Sequence, residues 1–147
     1  MAEATARKSW LRKPTLAVAS LFFSLLFLSC DDLCANETLK TIQSPDGKRQ
    51  AVVFRRDCGA TTAYSTQVSI MASGVKLPNQ GGNVFVADTD HGKAPEQEGG
   101  GPVVNVEWLD NKSLRVSYDS KDRVFHKETQ QSGVLITYVT APDLKEK

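Results

Sequence analysis

Histidine, cysteine and aromatic side chains are all scarce in this 147-residue chain, and each shortage narrows the chemistry open to it. The two histidines, His91 and His126, stand in no recognisable nucleophile motif, which leaves little general-base capacity. The three cysteines include no CxxC pair, so the redox motif of a dithiol oxidoreductase is missing. Aromatic residues make up 7% of the chain and the formal net charge is +1, with no basic stripe. Nucleic-acid binding therefore has neither an electrostatic footprint nor stacking platforms. Apolar spacing of three and four is nowhere sustained over a helical length, so no long amphipathic helix is expected.

What is present starts at the N-terminus. Arg7, Lys8, Arg12 and Lys13 precede an uncharged, predominantly apolar run from Leu16 to Leu28, the layout of a secretory signal peptide. The run is shorter than the roughly 20 residues of a spanning helix. Its end, Phe27, Leu28, Ser29 and Cys30, resembles a bacterial lipoprotein signal, in which a small residue precedes the cysteine that receives lipid. The last two positions fit that motif and the first two depart from its usual choices. An alternative is ordinary cleavage after Ala35, which would discard both Cys30 and Cys34. The odd cysteine count favours lipidation: one thiol takes lipid at Cys30 and two remain to pair in an oxidising compartment. Residues 1–29 carry four of the 18 basic and one of the 17 acidic side chains, so the mature chain has a formal charge near −2.

Beyond a short tether at 30–37, the pattern is that of strands. "KTIQ", "RQAVVFRR", "TQVSIMA", "NVFVA", "VVNVEWL", "SLRVSYD" and "VLITYVT" are rich in β-branched and aromatic residues and are separated by Gly, Pro, Asn and Asp clusters. This predicts an all-β domain over 38–142, a small antiparallel β-sandwich of about seven strands, with a tail at 143–147. Trp108 alternates with Val104 and Val106 and belongs to the core. The polar, glycine-rich stretch from Asp88 to Pro102 reads as an exposed loop.

"SPDGK" at 44–48 predicts a tight hairpin turn. With Pro45, Asp46 and Gly47 in the loop, facing residues have numbers summing to 92, which sets Leu39 against Val53 and Cys34 against Cys58. A two-residue Asp-Gly turn makes the sum 93 and misses the cysteine pair by one position. Either register brings the two cysteines near bridging distance, so a Cys34–Cys58 disulfide is expected at the open end of the hairpin.

"PDGKRQAVVF" and "LDNKSLRVSY" form a weak internal repeat. "SPDGK" before an apolar strand resembles the turn in blades of TolB-type β-propellers. Two copies cannot close a propeller, which points to two blade-like hairpin repeats packed as a sandwich. The block "RDCGATT" followed by "STQVSI", with "GGNVFVAD" and "VEWLDNKSLRVSYD" after it, resembles an uncharacterised family of small secreted or lipid-anchored bacterial proteins. The resemblance implies location and fold and transfers no catalytic residue.

Three constellations are candidates for function. Arg55, Arg56 and Asp57, with the hydroxyls of Thr61 and Thr62, form a polar group beside Cys58 that could receive an anion or a partner's carboxylate. Asp88, Asp90 and His91 lie close together, with the two carboxylates at alternate positions as in calcium loops, but the twelfth position of an EF-hand loop is Gly99 here, so a solvated loop is the stronger reading. Cys58 with a histidine as base would be a nucleophile only if it were not in a disulfide. No cofactor is expected. The reading that results is a cell-envelope lipoprotein facing the periplasm or cell exterior, held to the membrane by lipid, with a non-enzymatic binding or accessory domain and an envelope protein as possible partner. The alternative is a hydrolase or metal-assisted enzyme using His91, His126 and nearby carboxylates.

Overall fold

The computed structural model describes residues 33–145. The segment 1–29 read from sequence as a signal peptide and the lipid-attachment candidate Cys30 lie outside the described residues. Among the described residues nine strands form two sheets: β1 (Ala35–Gln43), β2 (Arg49–Asp57), β3 (Ser65–Ala72), β4 (Phe85–Asp88), β5 (Val104–Asp110), β6 (Ser113–Asp119), β7 (Arg123–Lys127), β8 (Gln130–Gln131) and β9 (Val134–Ala141). One sheet has the order β1-β2-β3-β4-β7 and the other β5-β6-β9-β8. The all-β sandwich read from the sequence is the observed fold, with β7 and β8 added to the seven expected strands.

Alternation in the strands builds the core. Ala51 and Val53 of β2, Val68 and Ile70 of β3, and Phe85 and Ala87 of β4 face Leu114, Val116 and Tyr118 of β6 and Val134 and Ile136 of β9. Each large side chain so buried contributes about 1.5–3 kcal/mol. Trp108 packs against this cluster, and its indole N–H donates to the Ile42 carbonyl at 3.0 Å, tying β5 to β1 across the sandwich.

The opposite side chains of β2 are buried as well, since Val52 and Phe54 are almost inaccessible. The 73–83 segment folds back over this outer face and is fastened by side chains. The Gln50 amide donates to the Val75 carbonyl at 2.7 Å, the Gly82 amide donates to Gln67 Oε1 at 2.6 Å, and Asn79 Nδ2 donates to the Cys34 carbonyl at 2.7 Å.

Both registers weighed for the first hairpin occur. Near the turn the pairs are Gln43 with Gln50 and Lys40 with Val53; beyond Leu39 they are Thr38 with Phe54 and Ala35 with Asp57. A β-bulge at Leu39 absorbs the difference, so Leu39 does not face Val53 as a regular ladder would have it. The shift carries Cys34 opposite Cys58, and the two form a disulfide.

Four sequence-based expectations are corrected. The sheets are not wholly antiparallel: β6 and β9 run parallel, because the chain between them crosses to the other sheet and adds β7 to β4. The hairpin repeat accordingly covers only β1-β2 and β5-β6. It is closest at the turns, where Asp46 accepts from the Lys48 amide and Asp110 from the Lys112 amide. The tether is shorter than 30–37, since β1 pairs from Ala35. At the other end 143–145 are not a loose tail. The Leu144 amide donates to Asp119 Oδ2 at 3.1 Å, and the Lys145 carbonyl accepts from Asn105 at 2.8 Å.

The Asp88–Pro102 stretch is the fourth correction, because much of it is packed rather than solvated. Asp88, Thr89 and Ala94 are buried. Its glycines 99, 100 and 101 all have positive φ, and a Cβ on them would meet Arg55, Tyr64 and Thr66 respectively at under 3 Å. Glycine is needed here both for the left-handed backbone and for the close approach.

Candidate functional site

The disulfide fastens the start of β1 to the end of β2, and from it the Gly59–Tyr64 loop extends beside the outer face of the first sheet. There the loop and strands β2, β3, β4 and β7 enclose an open cleft of about 420 Å³. It is lined by Arg56, Cys58, Thr61, Thr62, Ala63, Ser65, Val86, Asp88, His91, Arg123 and Phe125. The fold therefore merges two groups that are about 30 positions apart in sequence: the polar loop after β2 and the acidic-histidine turn after β4.

Of the five residues proposed from sequence as a binding surface, Arg56, Thr61 and Thr62 line this cleft. Arg56 is only 7% exposed. Its Nη1 donates to Asn36 Oδ1 at 2.7 Å and to Asn79 Oδ1 at 3.3 Å, so it also holds the 73–83 segment against β1. Arg55 takes the opposite face of β2, where it pairs with Glu37 and lies over the Tyr64 ring at 5.0 Å. Asp57 closes the turn after β2 by accepting from the Gly59 amide at 2.9 Å.

Asp88 and Arg123 form the far wall. Arg123 Nε donates to Asp88 Oδ1 at 3.1 Å while Nη2 donates to Oδ2, a two-pronged ion pair with the carboxylate side chain buried and the guanidinium partly open. The remaining nitrogen, Nη1, lies 3.5 Å from His91 Nε2. Arg123 also lies over the Phe125 ring at 5.0 Å, and that ring is 60% exposed. Arg123 and Phe125 were not found from sequence. "RVFHK" alternates as a strand should, but it is five residues long and set among charged neighbours, so only its pairing with β4 reveals it.

The turn after β4 is conformationally costly. Asp90, His91 and Gly92 all have positive φ, at 47°, 60° and 82°. A left-handed conformation costs a non-glycine residue about 1–2 kcal/mol. The turn is closed on Thr89, whose carbonyl accepts from the amides of Lys93 and Ala94 at 2.8 and 3.1 Å. Asp90 pairs with Lys93 at 2.6 Å, and the hydrogen bond from that ammonium holds its pKa below the usual carboxylate range, against a small effect of burial.

Both oxygens of Asp88 are committed to Arg123, and among the described residues no group of three or more His, Cys, Asp or Glu side chains is placed to hold a metal ion. His126 stands apart from His91 in role: it pairs with Val86 across β4-β7 and its Nε2 lies 3.6 Å from Glu128, and it does not line the cleft. Cys58 is held in the disulfide, which removes the thiolate that nucleophilic attack would require.

A separate cluster lies at the β6-β7 connection. Asp119 is buried and accepts from the amides of Lys121 and Leu144. Asp122 accepts from the Asp119 amide at 3.1 Å through one oxygen, while its Oδ1 is buried with no hydrogen-bond partner. Burial, opposed by that amide and reinforced by the charges of Asp119 and Asp88, pushes the Asp122 pKa up to about 7.

No family model, curated protein or solved structure matches the chain.

Proposed function

We propose that this chain is a cell-envelope lipoprotein, anchored through Cys30, whose β-sandwich is a non-enzymatic binding domain with its ligand surface at the stapled-end cleft. The observation that carries the anchor is the disulfide. With Cys34 and Cys58 joined, Cys30 is the one cysteine of three left over, and it follows the small residue Ser29 at the end of the apolar run. Ordinary cleavage after Ala35 would remove Cys34 and leave its partner unpaired in an oxidising compartment.

The binding role draws support from the cleft. A polar loop fixed by a disulfide has little freedom left to lose on association, which favours recognition. Hydroxyls from Thr61, Thr62 and Ser65, the guanidinium of Arg123 and the exposed Phe125 ring supply polar contacts beside an apolar one. The hydrolase reading has less behind it. It needs His91 and His126 to work together, and only His91 lines the cleft.

The test is fractionation of cells expressing the full chain and its Cys30→Ser variant. Retention of the full chain in membranes and loss of the variant from the mature membrane pool support the anchor. Equal membrane retention of both refutes it. For the binding domain, an envelope component should accompany the membrane-extracted protein and be lost with Phe125→Ala. If the extracted protein carries nothing, or Phe125→Ala keeps the same component, the cleft is not the binding surface.

A further inference from the structure

The tether is short on the side of the cleft. Cys30 precedes Cys34 by four positions, a span of at most about 14 Å of extended chain. Cys34 is bonded to Cys58, and Cys58 lines the cleft. An anchor at Cys30 therefore holds the stapled end, rather than the turn end, next to the lipid.

The side chains at that end suit an interface between water and lipid. Leu33, Phe125 and Tyr64 are 76%, 60% and 41% exposed. Both rings carry a guanidinium at 5.0 Å, Arg55 over Tyr64 and Arg123 over Phe125. An exposed ring under a cation can place its apolar body among acyl chains while the charge stays at headgroup level. Among the described residues, the other large exposed apolar side chains, Val75, Leu109, Leu135 and Val139, are aliphatic. Leu109 and Leu135 flank the far turn, where the Leu135 amide donates to the Lys112 carbonyl. Polar turns at Asp46–Lys48 and Asp110–Lys112 complete that end and carry no aromatic ring.

We infer that the stapled end is a membrane-docking face: Phe125, Tyr64 and Leu33 seat in the surface of the bilayer that holds the Cys30 anchor, and the cleft opens at the level of the lipid headgroups. The inference rests on the anchored-lipoprotein reading and deepens it, because the ligand met at that level is the phospholipid itself. A headgroup phosphate would meet the Thr61 hydroxyl and the Arg123 Nη1, competing for the latter with Asp90 Oδ1 at 3.9 Å; the Thr62 hydroxyl already donates to the Gly59 carbonyl at 3.0 Å.

The experiment uses the lipidated mature protein in vesicles of phosphatidylethanolamine and phosphatidylglycerol with brominated acyl chains. Tryptophan reporters are placed by Phe125→Trp and Tyr64→Trp at the stapled end and by Leu109→Trp at the far end. Two near-end reporters guard against one variant failing to fold. Flotation with the vesicles and a lipid mass on Cys30 read the anchor separately. Docking is expected to give blue-shifted emission and several-fold stronger bromine quenching for Phe125→Trp and Tyr64→Trp than for Leu109→Trp. If the protein floats and all three reporters are quenched alike, or Leu109→Trp is quenched most, the docking face is overturned and the anchor stands. If it carries no lipid and does not float, the anchor falls and the docking face with it.

Discussion

Leu39 and Ile42 lie three positions apart on β1, and both pack against the core. In a regular strand an odd spacing points side chains to opposite faces, so the pair requires the bulge found at Leu39. Thr38 and Thr41, likewise three apart, both line a groove on the outer face. One extra residue therefore settles two problems: it keeps both apolar side chains of an edge strand inward, and it moves the last turns of the ladder into the register that joins Cys34 to Cys58.

Removing that staple should be the costliest change available at the cleft. The cysteines are 24 positions apart, and closing a loop of that length stabilises the fold by about 3.5 kcal/mol in the chain-entropy description. Urea unfolding of the Cys34→Ser, Cys58→Ser double variant should show a lower midpoint with loss of that order. A midpoint within error of the oxidised protein would show that the first hairpin holds its end without the bond.

Asp122 predicts an unusual pH dependence. Its pKa of about 7 in the folded chain lies above the ordinary carboxylate value of 3.8, so the folded state binds the extra proton between those limits. Stability from this group is complete below about pH 4, falls as pH rises to about 7, and is level above. Discounted for a half-exposed site, the loss is about 2 kcal/mol. Asp122→Asn should remove this fall and make the protein more stable at pH 8 than the native chain, as read by thermal unfolding across pH. An unchanged pH profile in that variant would contradict the assignment.

Gly100 holds the cleft loop from behind. It has φ of 99°, and a Cβ there would lie 2.5 Å from the Tyr64 ring. Gly100→Ala should cost about 2 kcal/mol through left-handed strain and push Tyr64 off Arg55. Urea unfolding reads the first effect and near-ultraviolet circular dichroism the second. No change in either would mean that the 99–101 segment is not packed on Tyr64.

Much of this was legible in the sequence because it depends on local chemistry. Alternation gave seven of the strands, "SPDGK" gave the hairpin, and counting outward from the turn gave the cysteine pair. The parallel β6-β9 pair and strand β7 were not legible, because they depend on where the chain crosses between sheets. For the same reason Thr61 and Thr62 could be named without Arg123 and Phe125, the wall that faces them. Asp88 reads from sequence as part of a solvated loop, and as a calcium ligand only weakly, since nothing local indicates that β7 will deliver a guanidinium to it.

The most direct test of the central claim is intact mass spectrometry of the membrane-extracted mature protein, before and after reduction and alkylation. A diacylglyceryl or triacyl mass on an N-terminal Cys30, with two alkylatable thiols appearing only after reduction, is the result expected for an anchored, stapled domain. A mature chain beginning at Asn36, without lipid and with Cys58 as a free thiol, would contradict it.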